Sequence, residues 1–87
     1  MQKGTEELVS QLRALADPVR LRLVALCARG ECSVSELAEV LGLSQPRVSQ
    51  HLRQLCDAGL LQRFRDGHFV YYRVRLRRGR SSRWTKF

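Results

Sequence analysis

A chain of 87 residues has room for one small domain and no second. Its 44% hydrophobic content, regularly spaced, excludes a disordered segment, and no apolar run approaches the roughly 18 residues of a membrane span. Lys and Arg outnumber Asp and Glu by 16 to 8, a net charge of +8 that points to a polyanionic partner, nucleic acid first.

In chain order, Thr5 is placed to cap a first helix running to about Ala16, with Glu6 and Glu7 suiting its positive end. Leu8, Leu12, Leu15 and Ala16 form one apolar stripe along it. Asp17-Pro18 stops that helix and starts another, with Asp as N-cap and Pro as first helical residue. Val19, Leu23, Leu26 and Cys27 line the second helix, and Gly30 suits its C-cap. Ser33-Val34-Ser35-Glu36 is a capping box, opening a third helix with Val34, Leu37, Ala38 and Leu41 on one face. That helix ends at Gly42. Ser44 caps a fourth, whose stripe is Val48, Leu52 and Leu55 and whose end is Gly59.

The period then changes from helical to alternating. Leu60 to Arg65 and His68 to Arg75 flank Asp66-Gly67, a strong hairpin signal. Val70, Tyr72, Val74 and Leu76 point one way, and Phe69, Tyr71, Arg73 and Arg75 the other. The reading is an α+β domain over residues 1–76, four helices and a two-stranded hairpin, followed by a basic tail at 77–87. Charge divides along similar lines. Residues 1–74 hold ten basic and eight acidic side chains, and residues 75–87 hold six basic and none acidic.

Two short helices joined by a tight glycine turn, the second basic and polar, make a helix-turn-helix. Ala38 is small enough to let the pair approach, Gly42 supplies a left-handed turn, and Val48 packs underneath. By helical angle Gln50 and Arg53 lie opposite the apolar stripe, Arg47, Ser49 and Gln54 flank them, and Gln45 sits in the exposed first turn. Glutamine and arginine are the residue types that read base edges and hold phosphates. The hairpin has the form of a wing, with Arg63, Arg65, His68 and Arg73 able to lie along a phosphate backbone. The alternative for those four is a basic edge that discourages strand aggregation.

The segments Asp17-Pro18-Val19-Arg20-Leu21-Arg22-Leu23, Ser33 to Ala38, Leu43 to Leu52 and Gly67 to Val74 resemble the arsenical-resistance repressor (ArsR/SmtB) family over roughly residues 8–76. The resemblance implies a winged helix-turn-helix that acts as a homodimer. It would repress transcription from an inverted-repeat operator in double-stranded DNA until an inducer releases it. It also implies that Ser44, Gln45, Arg47, Ser49, Gln50 and His51 face DNA. The helical angle of His51 places it at the margin of the apolar stripe, where a core-edge role is the alternative.

The chain departs from the family in two places. Soft-metal sensors carry Cys-Val-Cys where this chain reads Ser33-Val34-Ser35, and serine is a poor ligand for such ions. Cys32 stands one residue earlier. It is expected to be exposed, near a helix N-terminus that lowers its pKa, and is the one weak metal or sensor candidate. Cys27 falls on an apolar stripe and reads as a buried structural thiol, and Cys56, near the end of the fourth helix, as a bystander. The family's terminal dimer helix and its acidic metal site have no counterpart in residues 75–87, which lack Asp, Glu, His, Cys and an apolar stripe. Either dimerisation falls to the first helix alone, through Leu8, Leu12 and Leu15, or the chain is a truncated or diverged member of the family. The tail would serve as a DNA-binding arm or a solubilising extension, with Trp84 and Phe87 at most weakly stacking.

Met1 to Glu7 hold no apolar signal-peptide core, and three cysteines do not suit a disulfide scaffold. A reduced, cytoplasmic protein with no membrane partner and no cofactor is expected. No paired carboxylates, phosphate loop or Cys/His arrangement calls for an enzyme. Rival readings are a nonspecific nucleic-acid binder driven by the tail, and a protein-interaction module using the wing or first helix.

Overall fold

The computed structural model describes residues 2–75, with side chains from Gly4 onward, so the expectations for Leu76 and for the 77–87 tail lie outside the described residues. Within that span α1 (Gln2–Leu15), α2 (Pro18–Arg29), β1 (Cys32–Ser33), α3 (Val34–Leu41), α4 (Gln45–Asp57), β2 (Leu61–Asp66) and β3 (Phe69–Val74) follow in order. The sheet order is β1-β3-β2, antiparallel throughout.

Capping chemistry sets most helix ends. Asp17, in extended conformation, accepts the backbone N–H of Arg20 at 3.0 Å, and Pro18 opens α2 at no hydrogen-bond cost. Ser33 and Glu36 satisfy each other's backbone N–H groups in a complete capping box at the start of α3. Gly42 adopts the left-handed conformation (φ 69°, ψ 33°), and its N–H and that of Leu43 both return to the carbonyl of Ala38. Ser44 then caps α4, so only Leu43 separates the C-cap of α3 from the N-cap of α4.

The core gathers one stripe from each of α2, α3 and α4 over one face of the sheet. Leu23, Val48, Leu52 and Leu55 are fully buried, Leu37 nearly so, and Cys27, Ala38, Leu61 and Tyr72 complete the layer. From α1 only Ala14 is buried, while Leu8 and Leu12 are 55% and 58% exposed. Among the described residues no helix is long and apolar enough to cross a membrane.

Three sequence expectations need correction, and a fourth, the Gly30 cap, is met in position. The first helix starts at Gln2, so Thr5 lies inside it and is no cap. Gln and Lys favour helix, and one glycine costs only about 1 kcal/mol there, so the helix extends past the threonine. Gly30 does stand at the C-cap of α2, but with extended backbone leading into β1, a conformation open to any residue. The sheet has three strands, because Cys32 and Ser33 pair with Tyr72 and Tyr71. Finally, the hairpin turn is Gly67-His68, one residue later than expected, with Asp66 opposite Phe69. Gly67 has φ 67° and, among the described residues, no non-glycine residue has positive φ, the sign pattern of a II′ turn, which needs glycine only at its first position.

Candidate nucleic-acid interface

Two elements project the polar residues singled out in the sequence. On α4 the fully buried Val48, Leu52 and Leu55 fix the helix about its axis, so Gln45, Arg47, Ser49, Gln50, Arg53 and Gln54 are all exposed. The hydroxyl of Ser44 accepts the N–H of Arg47 at 3.4 Å as N-cap and is exposed beside them. No carboxylate stands on this helix before Asp57, so Arg47 and Arg53 lend the exposed face an undiluted positive charge. Gln can meet a base edge through its amide, Arg a guanine edge or a phosphate.

His51 is half-buried at the side of this surface. Its Nδ1 lies 3.3 Å from a terminal nitrogen of Arg20, which also reaches Gln54. Arg20 belongs to α2 and its Nε donates to the carbonyl of Ala14, so one side chain ties the end of α1 to α4. The carboxyl of Asp17 is held below its usual pKa chiefly by accepting the N–H of Arg20, an effect that outweighs its desolvation. In the sequence Arg20 stands within the Asp17–Leu23 segment with nothing that marks its role. Helical periodicity reports which face a residue occupies, but cannot report a contact spanning 31 positions.

The wing divides its basic residues between two faces. Arg63 and Arg65 share a face with Leu61, opposite Tyr72 and Val70 in the register. Arg63 comes close enough to Cys56 on α4 for its charge to act on that thiol. Arg73 lies on the other face, 3.4 Å from Glu31 and stacked on Phe64 with its guanidinium carbon 4.3 Å from the ring centroid. Tyr71 extends that face, its ring 5.9 Å from Phe64 and 6.4 Å from Phe69. His68 occupies the turn itself. The structure therefore brings Arg63 and Arg65 together, leaves His68 at the tip, and commits Arg73 elsewhere.

The thiols separate clearly. Cys27 is buried, and burial together with its neighbour Cys32 pushes it up to about 12. Cys32 was expected to be exposed and acidified by the α3 N-terminus. It is instead half-buried in β1, and its pKa is raised, first by burial and then by the Glu36 carboxylate. Burial is the main reason for the reversal, and the capping box adds to it: Ser33 and Glu36 take up each other's N–H groups, and Glu36 brings a negative charge. Burial also raises Cys56, more than Arg63 lowers it. Among the described residues no three His, Cys, Asp or Glu side chains are grouped to hold a metal ion.

The chain matches the family model described as "Bacterial regulatory protein, arsR family" over residues 17–63, from the cap of α2 into the wing. It is 51% identical over 63 residues to the arsenic resistance transcriptional regulator ArsR1 of Pseudomonas putida, covering 71% of this chain and 49% of that protein. This chain spans about half the length of the curated relatives it matches first. Among solved structures, the homodimeric winged helix-turn-helix DNA-binding domain from Mycobacterium bovis superposes with a TM-score of 0.80 at 30% identity, over 84% of this chain and 68% of that one. The transcriptional repressor BigR from Xylella fastidiosa superposes with a TM-score of 0.76 at 33% identity, over 100% of this chain and 89% of that one. Agreement in sequence runs through the residues that build the glycine turn and α4, and agreement in structure extends to the wing: the chain belongs to the arsR family of bacterial regulatory proteins.

Proposed function

We propose that this chain is a DNA-binding transcriptional repressor, with α4 as its recognition helix and the wing as its backbone clamp. One observation carries the reading. A fully buried stripe on α4 aims Gln45, Arg47, Ser49, Gln50 and Arg53 outward, and among the described residues no ion pair or hydrogen bond engages those side chains. Polar side chains held rigidly and left without internal partners suit an external one, and their types suit a major groove. Ser44 at the helix start and Gln54 beside Arg53 border the same surface. Arg63 and Arg65, with His68 at the turn, would follow the adjoining phosphates.

The chain would act as a homodimer. Leu8, Val9 and Leu12 are exposed on α1, with Leu15 half-buried beside them, and burying each large apolar side chain is worth about 1.5–3 kcal/mol. A two-fold pair would set its recognition helices about 34 Å apart, one turn of duplex, and so call for a palindromic operator. The homodimeric relative supports this arrangement. Leu12→Glu should convert the dimer to monomer in sedimentation velocity and weaken operator binding with it.

The test is fluorescence anisotropy with DNA from upstream of the chain's own gene and a scrambled duplex, in about 150 mM salt, reductant and chelator. Preference for the upstream palindrome supports repression. Equal, salt-labile binding to both duplexes would overturn it in favour of charge-driven binding through the basic residues at 75–87. No binding to either would favour a protein-interaction module.

A further inference from the structure

Arg20 lies outside the helix-turn-helix, yet its guanidinium ends between two residues of α4. Its Nε donates to the Ala14 carbonyl at 2.6 Å, and a terminal nitrogen donates to Gln54 Oε1 at 2.5 Å. The same nitrogen lies 3.3 Å from His51 Nδ1. The backbone of Arg20 is fixed as well, through its N–H to Asp17. A guanidinium has donors only and keeps its proton, so every atom it touches must accept. For Gln54 this turns the carbonyl oxygen towards Arg20 and leaves the NH2 as the free half of the amide. For His51 it puts the lone pair on Nδ1 and the proton on Nε2. Both side chains are otherwise ambivalent, offering donor or acceptor according to amide flip or tautomer.

We propose that Arg20 is a positioning residue that sets sequence preference, by fixing Gln54 and His51 as hydrogen-bond donors towards DNA. The proposal rests on the DNA-binding reading above. A glutamine with both halves free pairs with adenine through N6 and N7, one donor and one acceptor. The Gln54 oxygen keeps a second lone pair, but Arg20 holds it turned towards α2, which disfavours that two-point pairing. Donors suit guanine N7 and O6, thymine O4 or phosphate oxygens instead. Gln50 is exposed and, among the described residues, has no such partner, so its whole amide stays available. Two glutamines on one helix face therefore carry different preferences, and the difference comes from a residue on another helix.

The test compares the full chain with its Arg20→Lys and Arg20→Met variants. Lysine keeps the charge without the fork, and methionine keeps an unbranched stem without donors. Duplexes selected from a randomised library define the preferred sequence, and anisotropy gives its affinity relative to scrambled DNA. Long-range 1H–15N correlation at about pH 8, above the ordinary imidazole range, reads the His51 ring in the DNA-free protein, with His68 as internal control. The unmodified chain should show the His51 proton on Nε2 to a greater extent than in the exposed His68, and Arg20→Met should bring His51 back to the tautomer mixture of that control. Both variants should lower the preferred-to-scrambled ratio roughly tenfold, while Arg20→Lys leaves scrambled binding unchanged.

In a His51→Ala, Gln54→Ala background, Arg20→Met should have no further effect on the ratio. This arm separates the proposed role from general damage to the fold. An unchanged His51 tautomer in Arg20→Met, an unchanged ratio, or a further loss in the double background would each overturn the proposal. A chain that prefers no sequence at all would overturn the DNA-binding reading. The His51 nitrogens would then still decide whether Arg20 sets the donors.

Discussion

The recognition helix and the wing carry similar residue types but are held in different ways. α4 rests on three fully buried side chains, one for each turn, so its outer residues cannot rotate without breaking the core. The wing is buried only at its base, through Leu61 and Tyr72, and its tip ends in Gly67, His68 and a 63% exposed Phe69. Base recognition needs side chains placed to within a fraction of an ångström, whereas a phosphate contact tolerates a moving charge. The molecule puts its amides on the rigid element and much of its paired basic charge on the loose one.

The largest expected effect attacks the rigid half. Leu52→Ala removes a fully buried side chain beneath α4 and should cost about 2–5 kcal/mol, read by urea denaturation. Phe69→Ala, which removes a larger but 63% exposed side chain from the wing tip, should stay within about 0.5 kcal/mol. Equal losses would mean that the wing is as firmly built as the helix, and the contrast would fail. Next comes Gln50→Ala. It should cost about 1–3 kcal/mol on the preferred duplex and little on scrambled DNA, leaving stability unchanged. Gly42→Ala should cost about 1 kcal/mol of stability. A methyl at Gly42 meets nothing within 4 Å, so the left-handed backbone alone is penalised.

How legible each half was in the sequence follows from the range of the interactions that build it. Asp17, Ser33, Ser44 and Gly42 act on backbone groups a few residues away, and each cap was readable. The outward face of α4 followed from the spacing of Val48, Leu52 and Leu55. Features that depend on distant partners were hidden. The two residues of β1 show no alternation, and their pairing with Tyr71 and Tyr72 arises only once the chain has folded back. The Glu31–Arg73 pair and the reach of Arg20 to His51 span 42 and 31 positions. The raised pKa of Cys32 is hidden because its burial in β1 arises only in the folded chain, to which the readable capping box adds the Glu36 carboxylate. The hairpin was recognised and its turn misplaced by one residue, since Asp66-Gly67 and Gly67-His68 are both acceptable turn pairs.

The smallest effect gives the sharpest test of how the wing divides its labour. Arg65 and Arg73 are both exposed arginines of the hairpin and look equivalent in the sequence. Arg65 shares its face with Arg63, on the side of the hairpin that packs over α4, and would neutralise a phosphate there. Arg65→Ala should therefore weaken all duplexes alike and flatten the slope of log affinity against log salt by about 0.9. Arg73 is turned to the opposite face, where Glu31 and the Phe64 ring take up its charge. Its ion pair is half-exposed, with 45% and 52% of the side chains accessible, and so is worth at most about 1 kcal/mol to the fold. Arg73→Ala should accordingly leave the salt slope unchanged and cost only a small amount of stability. A salt titration of both variants against the unmodified chain decides the matter. If Arg73→Ala flattens the slope as much as Arg65→Ala, the Glu31 contact gives way on DNA and both faces of the wing meet the duplex.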